Sequence, residues 1–278
     1  AAIAAILADT TLEPAFIAQA ITMPSEADIA RDIGHDVDPD AILSARASLR
    51  AAVGRRFGEV LDGLYGRLAG GGPYSPDAAS AGRRALKNAC LDLMAATGAA
   101  SATARAARQY AAADNMTDRM AALATLSLLD VPERAAAIDD FYRRFEDDPL
   151  VIDKWFSLQA TIPQGTTLDR VRALTTHAKF SFANPNRVRA LIGAFAHGNQ
   201  TQFNRPDGAG FEFVVDTVLG LDARNPQVAA RLLSAFKSWR VLEGGRRAHA
   251  EAALKRVAAA APLSRDVKDI VQRSLAGD

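Results

Sequence analysis

Cysteine is nearly missing from this chain of 278 residues. Cys90 stands alone, so neither an internal disulfide nor a cysteine-built metal cluster can form within it. Histidine is scarce too: His35, His177, His197 and His249 lie far apart, and no pair has the i, i+4 spacing of a zinc-binding helix. Aromatic residues make up 6%, and no window approaches eighteen uninterrupted apolar residues, which excludes an apolar membrane-spanning helix. A Gly-rich phosphate loop, a nucleophile elbow and a paired-carboxylate site are all missing, which leaves no complete catalytic machinery legible in the residues.

What is abundant is alanine. It accounts for 59 residues, and it is the strongest helix former, whereas the β-branched and aromatic strand formers are comparatively few. Apolar residues at 49% and charged residues at 23% suit a globular chain long enough for one large core or two small ones. These numbers predict an all-α protein. Net charge is +1, which makes no general case for nucleic-acid binding. The charge is uneven, however: from Arg224 to Asp278 there are 11 Lys and Arg against 5 Asp and Glu. That tail reads either as a solvated helix surface or as one facing an anion. Ala1–Leu7 has the character of mid-helix sequence and lacks the basic head and cleavage site of a signal peptide, so the chain is expected to be processed or part of something longer.

Helix signals recur throughout. Asp38-Pro39 pairs a capping side chain with a proline in the first turn, where the missing N–H costs nothing. The apolar positions Ile42, Leu49, Val53, Phe57, Val60, Leu64 and Leu68 then predict one long helix that ends at Gly70-Gly71-Gly72-Pro73. Ser75-Pro76 restarts the chain, with Ala85, Cys90, Leu93 and Met94 facing inward and a stop at Gly98. Further helices are predicted over Ser101–Ala113, Thr117–Leu129, Pro132–Phe145, Leu150–Ala160, Thr167–His177, Pro185–Ala196, Gly210–Leu221, Pro226–Arg240, Arg246–Ala260 and Arg265–Leu275. Their short connections make neighbours antiparallel. Asn184-Pro185 and Asn225-Pro226 lie 41 residues apart, within the range of stacked-helix repeats, though no third copy is evident. The expected architecture is an irregular α-solenoid, a superhelical stack of antiparallel helix pairs forming a single helical domain over residues 1–278.

Within Asn184-Pro185-Asn186-Arg187-Val188-Arg189, two arginines occupy the first turns of a helix, where the macrodipole already presents positive charge. Something must compensate: a carboxylate on a neighbouring helix, or an anion at the helix end. In Asn225-Pro226-Gln227-Val228-Ala229-Ala230-Arg231, Gln227 and Arg231 share one face at i, i+4, a strip able to contact a carboxylate or a peptide backbone, or simply facing solvent. Trp155-Phe156 reads as packing. Asp36, Asp38 and Asp40 read as capping, since no calcium-loop spacing follows. His249-Ala250-Glu251 has the H-x-E of a zinc deaminase without its cysteines, and Cys90 reads as a small core residue.

Several stretches together resemble the last domain of the bacterial aminopeptidase N family. They are Pro14-Ala15-Phe16 with Ala18-Gln19-Ala20 and Pro24-Ser25-Glu26; Leu86-Lys87-Asn88-Ala89-Cys90-Leu91; Asn115-Met116-Thr117-Asp118; Asp153-Lys154-Trp155-Phe156; the run from Asn184 to Phe195; and Arg224-Asn225-Pro226-Gln227-Val228-Ala229. The resemblance runs from about Leu12 to the C-terminus, with departures at Gly70–Pro73, Val131–Phe145 and Leu242–Arg247. It implies a zinc metallo-aminopeptidase parent whose H-E-x-x-H helix, glutamate ligand, G-A-M-E-N loop and catalytic tyrosine lie in other domains. None of those is in this sequence. This chain is then expected to hold no catalytic residue, metal ligand or cofactor of its own. It would cap its catalytic domain, enclose a chamber and contact small peptides through Arg189, Gln227 and Arg231. The resemblance further implies a cytoplasmic monomer without nucleic-acid or membrane partners. The rival reading is a free-standing α-solenoid that binds a peptide or protein without catalysis.

Overall fold

A computed structural model of the protein describes residues 2–70 and 74–276. Gly71-Gly72-Pro73, part of the predicted stop signal, lies outside the described residues. Eighteen α-helices are found among the described residues, with one π-helical and one 3-10 segment and a single isolated bridge in place of any sheet. The all-helical expectation holds. In chain order the helices are α1 (Ala2–Ala8), α2 (Pro14–Ile21), α3 (Glu26–Ile33), α4 (Pro39–Arg56), α5 (Gly58–Ala69), α6 (Ala78–Ala95), α7 (Ala100–Ala112), α8 (Met116–Ser127), α9 (Pro132–Phe145), α10 (Pro149–Ala160), α11 (Thr167–Leu174), α12 (Pro185–Val188), α13 (Ala194–Gly198), α14 (Gln200–Phe203), α15 (Ala209–Asp222), α16 (Pro226–Leu233), α17 (Gly244–Ala259) and α18 (Arg265–Ala276). The chain divides into two compact units: Ala1–Pro24 with Ser44–Arg144, and Ser25–Leu43 with Phe145–Asp278.

The first unit is organised around α6, on which α2, α5, α7 and α8 pack. Leu86, Cys90, Leu93 and Met94 are its buried stripe, joined by Ile17 and Ile21 from α2 and Leu61 from α5. Ala85, expected inside, is exposed, and Leu86 takes that place. Glycine lets two elements come very close: a Cβ at Gly54 of α4 would stand 2.2 Å from the Leu93 carbonyl oxygen. The long helix predicted from Pro39 breaks at Phe57 (φ −117°, ψ 17°). That break rotates the phase by one position, which is why Leu61 is buried while Val60 stays exposed; Leu49, before the break, is exposed as well.

The second unit has an aromatic core in two clusters. Phe203, Phe211 and Phe236 meet with centroids 5.1–5.4 Å apart. Phe156 stacks edge-on with Trp155, His177 and Phe180, so the Trp155-Phe156 pair is packing, as expected. The helix predicted over Pro226–Arg240 tightens into a 3-10 segment at Ser234–Val241. The Ser234 hydroxyl donates to the Arg231 carbonyl at 2.6 Å, and three residues per turn bring Phe236 and Trp239 onto one face, where both are buried. The helix predicted over Pro185–Ala196 widens into a π-helical segment at Arg189–Gly193. There the Ser157 hydroxyl of α10 donates to the Ala190 carbonyl at 2.8 Å and so competes with the helical ladder.

Both Asn-Pro openings cap as predicted. The Asn184 side chain accepts from the Asn186 and Arg187 amides, and Asn225 accepts from Val228. A third opening of the same chemistry, Asp148-Pro149, starts α10 thirty-six residues before Asn184-Pro185, its carboxylate accepting from Leu150 and Val151. It escapes a search keyed to asparagine, although Asp and Asn are equivalent caps.

Candidate functional site

The two arginines at the start of α12 have separate fates. Arg187 turns inward and is buried. Its guanidinium pairs with the Asp153 carboxylate of α10, donates to the Pro149 carbonyl at 2.8 Å and the Lys179 carbonyl at 2.9 Å, and lies 5.9 Å from the Phe156 ring centroid. This is the compensating carboxylate that the dipole argument requires, on a neighbouring helix. Arg189, two residues further along and at the start of the π segment, is exposed and donates to Asn186 Oδ1 at 2.9 Å. Among the described residues it has no carboxylate partner.

Gln227 and Arg231 stand exposed on α16, opposite the buried Val228, Ala229 and Leu232. The π segment packs on α16, and a Cβ at Gly193 would lie 3.9 Å from Leu232 Cδ2. Arg189 and Arg231 are therefore on adjacent elements of one unit, with no bond between them. Around Arg231 the structure adds a residue not foreseen from sequence. The His197 imidazole of α13 lies beside the Arg231 backbone. Desolvation holds its pKa below the ordinary value near 6.5, and the charges of Arg231 and Lys237 act in the same direction. Arg231 and Lys237 thus set cationic charge beside His197.

His197 also borders a cavity of about 300 Å³ in the second unit, whose floor is Phe203, Phe211 and Phe236. The 3-10 segment supplies Lys237 to its lining, and α3 supplies Glu26 and Arg31. Cations at the edge of an apolar hollow can hold a carboxylate while the hollow takes an apolar side chain.

A second buried arginine organises the floor of this unit. Arg246 bonds Asp38 at 3.1 Å, Asp40, Glu243 at 3.3 Å and the Asn204 carbonyl at 2.7 Å. Asp38 also caps α4 by accepting from the Asp40 amide at 2.9 Å. Capping was the sequence reading of these aspartates; their shared cation lies some two hundred residues away and left no local trace. Beside it, Val37 forms an isolated parallel bridge to Leu242.

Among the described residues, no group of three or more His, Cys, Asp or Glu side chains is placed to hold a metal ion. Glu251 of the H-x-E triplet pairs with Lys255 at 2.7 Å, and the His249 ring lies against Gly208. Cys90 is fully buried, and burial pushes its thiol pKa up to about 12, which suits a packing role.

A family model described as a domain of unknown function (DUF3458_C) with ARM repeats matches residues 1–276. The chain belongs to this family. ARM repeats are stacked helices, in keeping with the helix-pair architecture expected from the sequence. Among characterised proteins it is similar to aminopeptidase N of Caulobacter vibrioides, with 39% identity over 269 residues, covering 97% of this chain and 31% of that protein. It is also similar to aminopeptidase N of Escherichia coli, with 34% identity over 272 residues, covering 98% of this chain and 31% of that protein. The chain thus spans about a third of the length of these relatives and matches a C-terminal part of them. A solved structure, Legionella pneumophila aminopeptidase A in complex with aspartic acid, superposes with a TM-score of 0.89 at 28% identity, over 98% of this chain and 33% of that one. The resemblance read from six short motifs therefore extends along nearly the whole chain.

Proposed function

We propose that this chain is the C-terminal domain of a zinc-dependent aminopeptidase, where it caps the catalytic domain, closes the substrate chamber and holds the carboxylate side of a peptide whose N-terminal residue is removed elsewhere. Zinc, in this proposal, belongs to the part of the enzyme outside the match; the side chains described here do not fit it, and no step runs through a metal in this chain. The observation that carries the proposal is the electropositive corner of Arg231, His197 and Lys237, with Arg189 on the adjacent segment. Arg187 has spent its charge on Asp153, whereas Arg189 and Arg231 have kept theirs for a ligand. A peptide carboxylate meeting such donors gains about 1.5–3 kcal/mol per charge-assisted bond, and Gln227 is on hand for the peptide backbone. The apolar hollow beside His197 suits a side chain of the same peptide.

The test is calorimetric titration of the chain with trialanine and with its C-terminal amide. The free acid is expected to bind more tightly, and Arg231→Gln to remove about tenfold of its affinity. Equal binding of acid and amide, or no effect of the substitution, overturns the assignment. Hydrolysis of an aminoacyl anilide by the purified chain, abolished by a chelator, would overturn the non-catalytic role.

A further inference from the structure

The first unit contains a polar cavity of about 360 Å³ that the peptidase reading does not use. Its volume falls in the range of small-molecule sites. Two of the shared motifs build one wall. Asp118 is buried and accepts from Lys87 Nζ at 2.7 Å, Asn88 Nδ2 at 3.0 Å and Asn115 Nδ2 at 3.1 Å, while Asn115 caps α8 by accepting from the Asp118 amide. Gln109 locks the same network, bonding Asn88 at 2.7 Å and the Asp118 carbonyl at 3.0 Å and accepting from the Tyr65 hydroxyl at 3.0 Å. The Lys87 charge is thereby met by Asp118. The network is complete, and it is rigid.

One turn back along α6 the lining is not complete. Arg83 and Arg84, consecutive on α6, both line the cavity. Arg83 donates to Ser80 Oγ at 2.7 Å and has no ion pair among the described residues. Arg84 spends Nη1 on the Ser75 carbonyl at 2.7 Å and lays its guanidinium 4.7 Å from the Tyr74 ring centroid. That fixes the plane of the group and, among the described residues, leaves the Nε–Nη2 edge without an acceptor; Nε is buried and unpartnered. This is the edge that receives an oxyanion at two points. The nearby carboxylates do not supply it. Asp77 spends its oxygens on Ser75 and Ser80 at the α6 cap, and Asp114 accepts from Asn115 and faces Lys87. A buried guanidinium nitrogen without a partner is costly and calls for an explanation.

We infer that the α6 face of this cavity is a phosphate-binding site in which Arg83 and Arg84 hold the oxyanion between the Asp118 network and the Tyr74 ring. Arg83, Arg84 and Lys87 outnumber Asp114 and Asp118 in the lining, and the cavity leaves room for an organic group beyond the phosphate. The ligand class is a small phosphate monoester or free phosphate.

The experiment titrates the full chain, ¹⁵N-labelled, with inorganic phosphate, glucose 6-phosphate and acetate at constant ionic strength, following the Arg84 Nε–H resonance. Saturable millimolar binding of phosphate is expected, with acetate about tenfold weaker for want of its further oxygens. Tighter binding of glucose 6-phosphate identifies a monoester as the ligand, and equal binding identifies free phosphate; either supports the site. Arg83→Gln and Arg84→Gln should each lose about tenfold in affinity. Arg83→Gln, which removes one bond to Ser80 Oγ and a charge near Asp77, serves even where Arg84→Gln fails to fold. A shift that never saturates and follows ionic strength alone, acetate binding as tightly as phosphate, or undiminished binding by Arg83→Gln overturns the inference.

Discussion

Arg187 and Asp153 join α12 to α10 through an ion pair whose arginine is 8% exposed, while Arg189, two positions along, pairs with no carboxylate among the described residues. The two side chains separate structure from binding within one short motif. Truncating Arg187 strands Asp153 and frees two backbone carbonyls, so Arg187→Ala should lower unfolding free energy by about 3 kcal/mol. Arg189→Ala should change it by less than about 0.5 kcal/mol. Urea denaturation of both variants measures the difference, and equal losses would show that Arg189 is structural as well.

Gly54 and Gly58 stand four residues apart and should respond oppositely to alanine. A Cβ at Gly54 meets the Leu93 carbonyl at 2.2 Å, backbone against backbone, whereas nothing lies within 4 Å of a Cβ at Gly58. Gly54→Ala should therefore destabilise by about 2 kcal/mol or more as α4 is pushed off α6. Gly58→Ala, in the first turn of α5, should stabilise by about 0.5–1 kcal/mol by restricting the unfolded chain. Thermal unfolding of the pair is the check, and the sign of each change is what counts.

How far the sequence was legible follows from the range of the forces involved. Capping and apolar period are local, so helices such as Pro132–Phe145 and the caps at Asn184 and Asn225 stand where the residues predict. The departures at Arg189–Gly193 and Ser234–Val241 arise where a neighbour overrides the local ladder, through the Ser157 hydroxyl or the aromatic cluster around Phe236. Of the three candidate residues, Arg189, Gln227 and Arg231 are all on the surface of one unit, but His197 beside Arg231 had no signal of its own. The motifs that carried the resemblance turn out to meet one another: Lys87 meets Asp118, and Asp153 meets Arg187. Spacing alone gives no hint of such pairs.

Arg246 places a pH dependence on the second unit. Glu243 accepts from the Arg246 and Gly245 amides and faces the Arg246 guanidinium, and these hold its pKa below the ordinary value near 4.5. Asp207, bonded by Arg205 and the Ala209 amide, is held lower, at about 2. Both carboxylates bind their proton less readily folded than unfolded. Their contribution is therefore full above the ordinary carboxylate range and is lost as pH falls through the folded values. Stability should decline between about pH 4.5 and 2, and Glu243→Gln should flatten the upper part of that decline. Arg246→Ala leaves Asp38, Asp40 and Glu243 crowded without their cation and should cost about 3 kcal/mol at neutral pH. Urea midpoints collected across pH for the three proteins test both points.

His197 offers the most direct reading of the proposed peptide site, because its protonation reports the local field. Desolvation lowers its pKa first, and the Arg231 and Lys237 charges lower it further, while the neighbouring Arg231 backbone opposes them. Arg231→Gln removes the charge and keeps the backbone, so the imidazole pKa should rise; Lys237→Gln should raise it as well. A bound peptide carboxylate supplies negative charge at the same corner and must also raise it, in proportion to occupancy. NMR titration of the His197 ring protons, with and without trialanine, follows both effects in one experiment. A pKa that rises in the variants but ignores the peptide would place the carboxylate elsewhere on the molecule.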